Sequence, residues 1–191
     1  MRNHMLRLAC SFALFVVVLF SPLCISVSAE ASNASLPLLQ DTDRAAEFFA
    51  LMEENGIVVV NKDFEKDTSQ TDTGKAMVSC DYTPTTGIDY SFTYSDGIIT
   101  SYILTADLAD SYAESKYGTA MMCFLMSHLD YTSADSLSVL EYLIDTTEND
   151  PIFGAVSELE RDGFQIKLNI TPVDTIFLIV YPDDTLSANE K

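Results

Sequence analysis

The feature that most constrains the fold of this chain is an alternating segment followed by a tight-turn dipeptide. Apolar and polar side chains alternate over residues 88–95, and this period of two places one face of a strand in a core and the other in water. Asp96-Gly97 follows directly, and an Asp-Gly pair between two strands is typical of a two-residue β-hairpin. Together with the next run, Ile98–Thr105, the pattern predicts an antiparallel meander with one wet face.

Patterns on either side of this meander predict the rest of the domain. The predicted helices are residues 41–55, 107–129 and 133–149, and the other predicted strands are residues 57–60, 75–82, 164–171 and 175–181. Residues 62–73 are predicted as a surface loop, and residues 153–160 as a short helical turn. The order α-β-β-β-β-α-α-β-β predicts the α+β class, with a mostly antiparallel sheet of about six strands and helices packed on one face.

The first 29 residues predict an export signal rather than a part of this domain. Arg2 and Arg7 precede an apolar run at residues 8–20, and Val27-Ser28-Ala29 offers small residues at a cleavage site. This is the organisation of a secretory signal peptide, so we expect a secreted or extracytoplasmic protein. One alternative is an uncleaved membrane anchor, which needs about 20 apolar residues. Another is a lipoprotein that is lipidated at Cys24.

Removal of the signal peptide, residues 1–29, defines the other segments of the chain. We expect a flexible leader at residues 30–40, a single α+β domain at residues 41–182 and a polar tail at residues 183–191. A domain of this length buries a core without covalent staples. No later segment is apolar enough to cross a membrane, so we expect no membrane span once the signal is removed.

The mature chain is strongly acidic. Without Arg2 and Arg7, eight Lys and Arg residues stand against 29 Asp and Glu residues, which gives a net charge of −21. Nucleic acids and anionic lipid head groups need a basic surface, so we expect neither as a partner. The charge fits a basic partner, divalent cations, or simple solubility outside the cell.

Two cysteines, Cys80 and Cys123, remain after signal removal, and both are predicted to face the core. In an exported protein they are a candidate disulfide, which would add about 4 kcal/mol by the chain-entropy model. A pair of buried thiols is the alternative, since cysteine commonly packs as a small hydrophobic residue. Two cysteines alone do not make a four-ligand zinc site.

His128 is the single histidine of the mature chain, and this scarcity disfavours nucleophilic triads and zinc sites. Ser127 and His128 are neighbours on a predicted helix and point in different directions, so they do not form a catalytic pair with each other. We predict His128 as the polar end of a buried helical stripe. The acidic stretches 145–150 and 183–184 lack the glycine of a calcium loop. We therefore predict no catalytic, cofactor-binding or metal-binding residue.

These observations favour a non-catalytic binding or interaction module whose ligand is a protein, a peptide or a small molecule. Its most concrete version is an acidic protein that binds a basic partner. The alternative is a small extracytoplasmic hydrolase that uses carboxylates, with His128 as a candidate participant. A third hypothesis is assembly through an exposed strand edge.

Overall fold

The computed structural model describes residues 37–70, 74–150 and 154–182. The predicted signal peptide, residues 30–36 of the predicted leader and the predicted tail lie outside the described residues. The described residues contain three helices and eight strands. These elements are α1 (Pro37–Glu54), β1 (Phe64–Gln70), β2 (Ala76–Thr85), β3 (Ile88–Ser95), β4 (Ile98–Asp107), α2 (Ser111–Leu129), α3 (Ser133–Asp145), β5 (Glu148–Asp150), β6 (Gly154–Arg161), β7 (Phe164–Ile170) and β8 (Thr175–Pro182).

All eight described strands join one antiparallel sheet in the order β1-β2-β3-β4-β8-β7-β6-β5. Seven of them have 7–10 residues, and β5 has three. The α+β class with an antiparallel sheet is therefore confirmed, whereas the predicted number of about six strands is too low. The predicted hairpin is also confirmed, since Asp96 and Gly97 take positive φ angles of 53° and 77° between β3 and β4.

The prediction of a strand at Ile57–Val60 is wrong, and the first strand lies in the segment predicted as a loop. Ile57 is buried, but Val58 and Val60 are 62% and 74% exposed. The amide of Val60 donates to the carbonyl of Pro84 outside any strand ladder. Instead β1 pairs with β2 although all seven of its residues are exposed. An exposed edge strand has no buried face, so no alternation in the sequence marks it.

Several other predicted element boundaries also differ from the structure. The helix predicted over residues 133–149 ends at Asp145, and Glu148–Asp150 forms β5; the helix predicted from residue 107 begins at Ser111, because β4 extends to Asp107. Residues 154–161, largely predicted as helical, form β6, which pairs with β7 along its length. The signal for this hairpin is Asp162-Gly163, whose φ angles are 53° and 79°. Helix α1 begins at Pro37, before the predicted start near residue 41. Proline is favoured in the first turn of a helix because its φ is already helical and its missing N–H has no partner to lose.

One face of the sheet carries three cross-strand rows of buried side chains, and we call it the inner face. Each row joins direct partners in neighbouring strands, so its members project from the same side. The rows are Phe92-Tyr102-Val180-Ile166, Tyr90-Leu104-Leu178-Leu168 and Ile88-Ala106-Ile176. The intervening residues project from the opposite side, which we call the outer face.

Aromatic rings of α1 and α2 contact the inner face. The ring centroids of Phe48 and Phe124 lie 5.4 and 6.0 Å from that of Tyr90, and the ring centroid of Phe49 lies 5.3 Å from that of Tyr82. These tilted and edge-to-face arrangements are the favourable ones for aromatic pairs. The packing of all three helices on one face stays a prediction.

Candidate functional site

The imidazole of His128 lies inside the aromatic core between α2 and the sheet, and the residue is 2% exposed. Its ring stacks on Phe124 with a centroid distance of 4.6 Å and meets Tyr102 edge to face at 4.7 Å. Nε2 lies 2.8 Å from the hydroxyl oxygen of Tyr90 in β3. The prediction that His128 lies on the buried side of its helix is confirmed.

The hydrogen bonds of His128 assign its tautomer. Nδ1 lies 3.0 Å from the carbonyl oxygen of Phe124, which only accepts hydrogen bonds, so Nδ1 carries the proton. Nε2 is then the unprotonated acceptor, and the hydroxyl of Tyr90 donates to it. The prediction that Ser127 and His128 point in different directions is wrong, because the hydroxyl oxygen of Ser127 lies 2.8 Å from Nδ1. This hydroxyl accepts a share of the Nδ1 proton and donates to the carbonyl of Phe124 at 3.1 Å, so it is not oriented by Nδ1 as a nucleophile would be by a base. Both nitrogens of the ring are thus satisfied inside the core.

The turn that carries His128 is held from α1. Nη1 of Arg44 donates 2.9 Å hydrogen bonds to the carbonyl oxygens of Ser127 and His128, at the end of α2. Nη2 of Arg44 lies 3.5 Å from a carboxylate oxygen of Asp130, the left-handed residue that ends the helix. A cation at this end satisfies the last carbonyls and complements the helix dipole. The hydrogen bonds from Arg44 therefore fix the backbone of the turn from which the His128 ring enters the core.

Burial lowers the pKa of His128 from an ordinary value of 6.5 to about 3. The hydrogen bond to the Phe124 carbonyl raises this pKa, and the nearby Arg44 cation lowers it further. The imidazole is thus neutral at physiological pH, and its nitrogens bond to Tyr90, Ser127 and a carbonyl. None of these partners is a carboxylate. The arrangement suits a packed core histidine and offers no open position for a substrate.

The low pKa of His128 predicts a loss of stability on mild acidification. Below pH 6.5 the unfolded chain binds a proton at His128 that the folded chain refuses until about pH 3, so stability falls as pH falls through this window. We expect the free energy of unfolding to drop by about 2 kcal/mol between pH 7 and 5, where Asp and Glu still stay ionised. Urea unfolding at pH 7, 6 and 5 measures this drop. A His128→Phe variant should lack it, and an equal drop in that variant would contradict the assignment.

Clusters of acidic residues do not form a metal site in the described part of the chain. Within residues 37–70, 74–150 and 154–182, no three His, Cys, Asp or Glu side chains are placed to hold a metal ion. In the stretch 145–150, Asp145 is the last residue of α3 and Glu148 is the first residue of β5. Asp183 and Asp184 lie outside the described residues.

Cys80 and Cys123 are both buried, and both side chains are thiols in the structure. Cys80 lies in β2 opposite Phe92 of β3. Cys123 lies in α2, and burial raises the pKa of its thiol to about 12. The carboxylate of Glu54 in α1 also raises this pKa, whereas a hydrogen bond with the backbone of Cys123 lowers it. A thiol with so high a pKa carries almost no reactive thiolate at neutral pH.

Buried thiols predict a simple labelling result. In the native protein at pH 8, we expect neither cysteine to react with a thiol reagent within minutes, because the thiolate of Cys123 is suppressed and both side chains are out of water. After unfolding in guanidinium without reductant, two thiols per domain should react. Zero thiols in the unfolded chain would show instead that Cys80 and Cys123 are joined by a disulfide.

The outer face of the sheet differs sharply in character from the inner one. The row through its centre reads Glu65-Asp81-Ser91-Ile103-Ile179-Lys167. Acidic residues occupy the end of this row at β1 and β2, and isoleucines occupy the middle at β4 and β8. Ile103 and Ile179 remain half-exposed, whereas the inner-face residues beside them are buried. The face thus has an acidic part and an apolar part.

The acidic part holds two carboxylates directly opposite one another. Glu65 and Asp81 are cross-strand partners and both are exposed, as are Asp67 in β1 and Asp89 in β3. Like charges directly opposite each other destabilise a sheet. Lys66, between Glu65 and Asp67, projects from the inner side, where its Nζ lies 5.7 Å from the ring centroid of Tyr94. The acidic part therefore has no cation of β1 beside it.

The apolar part lies where β4 meets β8. Ile103 and Ile179 are direct partners, and Phe177 lies one row away opposite Thr105. All of these side chains are half-exposed. The row then continues through Lys167 to its partner Glu158 in β6, and the Nζ of Lys167 lies 2.8 Å from a carboxylate oxygen of Glu158. This part of the outer face thus brings together three half-buried apolar side chains with polar residues around them.

Most cations of the described chain are already engaged close to acidic groups. Of the seven Lys and Arg side chains in the described residues, five lie 2.8–4.0 Å from a carboxylate: Arg44, Lys62, Lys75, Arg161 and Lys167. Such exposed pairs add little to stability. They do neutralise each cation locally, so the remaining carboxylates set the field around the protein.

Both ends of the sheet are poor places for strand addition. At one end, β1 carries the charged run Glu65-Lys66-Asp67, and at the other, β5 has only three residues. Charged and very short edge strands are the devices by which natural sheets avoid edge-to-edge pairing. The described edges thus disfavour assembly through a strand edge and leave the outer face as the stronger candidate.

Comparison with protein-family models, with curated proteins and with solved structures finds no match to this chain. Among the helices of the described residues, none combines the length and apolar character that crossing a bilayer requires. Function is therefore inferred from the residues themselves, and above all from the outer face.

Proposed function

We propose that this chain is a secreted, acidic, non-catalytic binding module that recognises a basic partner. The observation that carries the proposal is the outer face, where exposed carboxylates of β1–β3 adjoin half-exposed apolar residues of β4 and β8. The burial of His128 supports it, since that imidazole is 2% exposed and both of its nitrogens are hydrogen-bonded inside the core. The net charge of −21 after signal removal attracts cationic partners at long range.

The secreted part of the proposal rests on the composition of residues 1–29. Mass spectrometry of the protein purified from the medium of an expressing host tests it. A mature chain that begins at Glu30 supports the proposal, and an intact Met1 in a membrane fraction overturns it in favour of an uncleaved anchor.

Titration with charged peptides tests the binding part. Fluorescence anisotropy compares a labelled Lys-rich peptide with a Glu-rich peptide of equal length at physiological salt, where the screening length is about 8 Å. We expect binding of the Lys-rich peptide alone, with an affinity that falls steeply as salt rises. If the Lys-rich peptide does not bind at physiological salt, the proposal of a basic partner is wrong.

A further inference from the structure

We propose that the outer face of the sheet docks a protein segment that carries an apolar anchor on one side and Lys or Arg residues on the other. This inference rests on the proposed function and assigns its surface and the chemistry of its partner. The apolar part, formed by Ile103, Ile179 and Phe177, would receive the anchor. The acidic part, formed by Glu65, Asp67, Asp81 and Asp89, would receive the cations.

Charge complementarity selects this partner over an anionic or purely apolar one. A second apolar sheet would place its own surface over Glu65 and Asp81 and leave both carboxylates desolvated without a counter-ion, which is unfavourable. An anionic partner would add repulsion to a pair that already faces a like charge. Cations on the partner remove both the desolvation penalty and the repulsion, because they pair with these carboxylates. No cation of β1 does so, since Lys66 projects from the inner face.

The sheet geometry fixes the spacing that the partner needs. Neighbouring strands lie about 4.8 Å apart, so Asp81 is about 10 Å from Ile103 across two strands, and Glu65 is about 15 Å away across three. An extended segment covers that span in about three to five residues at about 3.3 Å each. A partner with its apolar and basic residues evenly mixed does not match this arrangement.

Two synthetic peptides of identical composition test this spacing. In the block peptide, leucines are separated from lysines by the three- to five-residue spacing, and in the mixed peptide the two residue types alternate. We expect the block peptide to bind at least tenfold more tightly in fluorescence anisotropy at physiological salt. If the two peptides bind with equal affinity, the partner does not need this spacing and the inference is wrong.

Paired variants of the chain locate the surface. Asp81→Asn with Glu65→Gln reduces the acidic part, and Ile103→Thr with Ile179→Thr reduces the apolar part while retaining β-branched side chains. Each pair should weaken block-peptide binding at least tenfold. The matched controls Glu141→Gln on α3 and Val173→Thr in the exposed loop between β7 and β8 should leave it unchanged. Circular dichroism melting verifies that each variant is folded.

Hydrogen exchange supplies a measurement that needs no substitution. Binding of the block peptide to the unchanged chain should slow amide exchange in β1–β4 and β8. Protection confined to the helices would overturn the inference. If the Lys-rich peptide binds but the outer-face variants bind it normally, the docking surface is wrong while the proposed function stands. If no Lys-rich peptide binds at all, the proposed function itself fails.

Discussion

Replacing His128 by alanine is expected to lower the free energy of unfolding by about 3–5 kcal/mol. The substitution empties a site beside Phe124, Tyr102 and Tyr90, and it removes the hydrogen bond between the Tyr90 hydroxyl and Nε2. Both effects act on the folded state alone, because the unfolded chain gives Tyr90 water to bond. Chemical denaturation at pH 7 measures the change.

The His128→Phe variant separates the two parts of this effect. Phenylalanine fills the same aromatic site and removes only the polar contact, so we expect a loss of about 0.5–1.5 kcal/mol from the missing hydrogen bond between Nε2 and Tyr90. A His128→Ala variant as stable as the unchanged chain would show that this histidine does not hold the core together. Loss of peptide binding by His128→Phe at unchanged stability would instead assign the imidazole a functional role.

Replacing Gly154 by alanine is expected to destabilise the protein by about 3 kcal/mol or more. Gly154 begins β6 at a φ of +88°, a conformation that residues with a Cβ rarely adopt. An added Cβ would also clash with the carbonyl oxygen of Ile170 in β7, so the backbone of a paired strand has to move. The two penalties have separate causes and are expected to accumulate.

Gly163 provides the matched control. It has a similar φ of +79° in the turn between β6 and β7, but an added Cβ there meets nothing within 4 Å. Gly163→Ala should therefore show only the conformational strain, about 1 kcal/mol. Urea unfolding of the two variants side by side isolates the contact with Ile170, and equal losses in both would contradict it.

The sequence predicts those parts of the fold that carry a local pattern. Alternation over residues 88–95 and the Asp96-Gly97 turn are confirmed, because a half-buried strand must alternate and a tight hairpin needs positive φ angles. Strand β1 has no such pattern, since neither of its faces is buried. Strand β6 is followed by a tight-turn dipeptide, Asp162-Gly163, and β6 could have been predicted from that turn.

The candidate site depends on long-range register, which no local pattern contains. Tyr90 and His128 are 38 residues apart, and their hydrogen bond exists only because α2 lies against β3. Likewise Glu65 and Asp81 become neighbours only through the pairing of β1 with β2. Composition alone predicted the acidic character of the surface. The division of the outer face into an acidic and an apolar part needed the order of the strands.

The position of β8 in the sheet has a consequence for how the chain folds. Strands β1–β4 form one meander and β5–β8 another, and each is built from pairings between segments that follow closely in the chain. The seam between them, β4 with β8, joins residues about 70 positions apart, so its closure carries the larger entropic cost and is expected last. Pulse-labelled hydrogen exchange during refolding would show this order. Strand β8 is the last of the eight described strands to be synthesised, and until it is in place β4 and β7 each keep one edge unpaired.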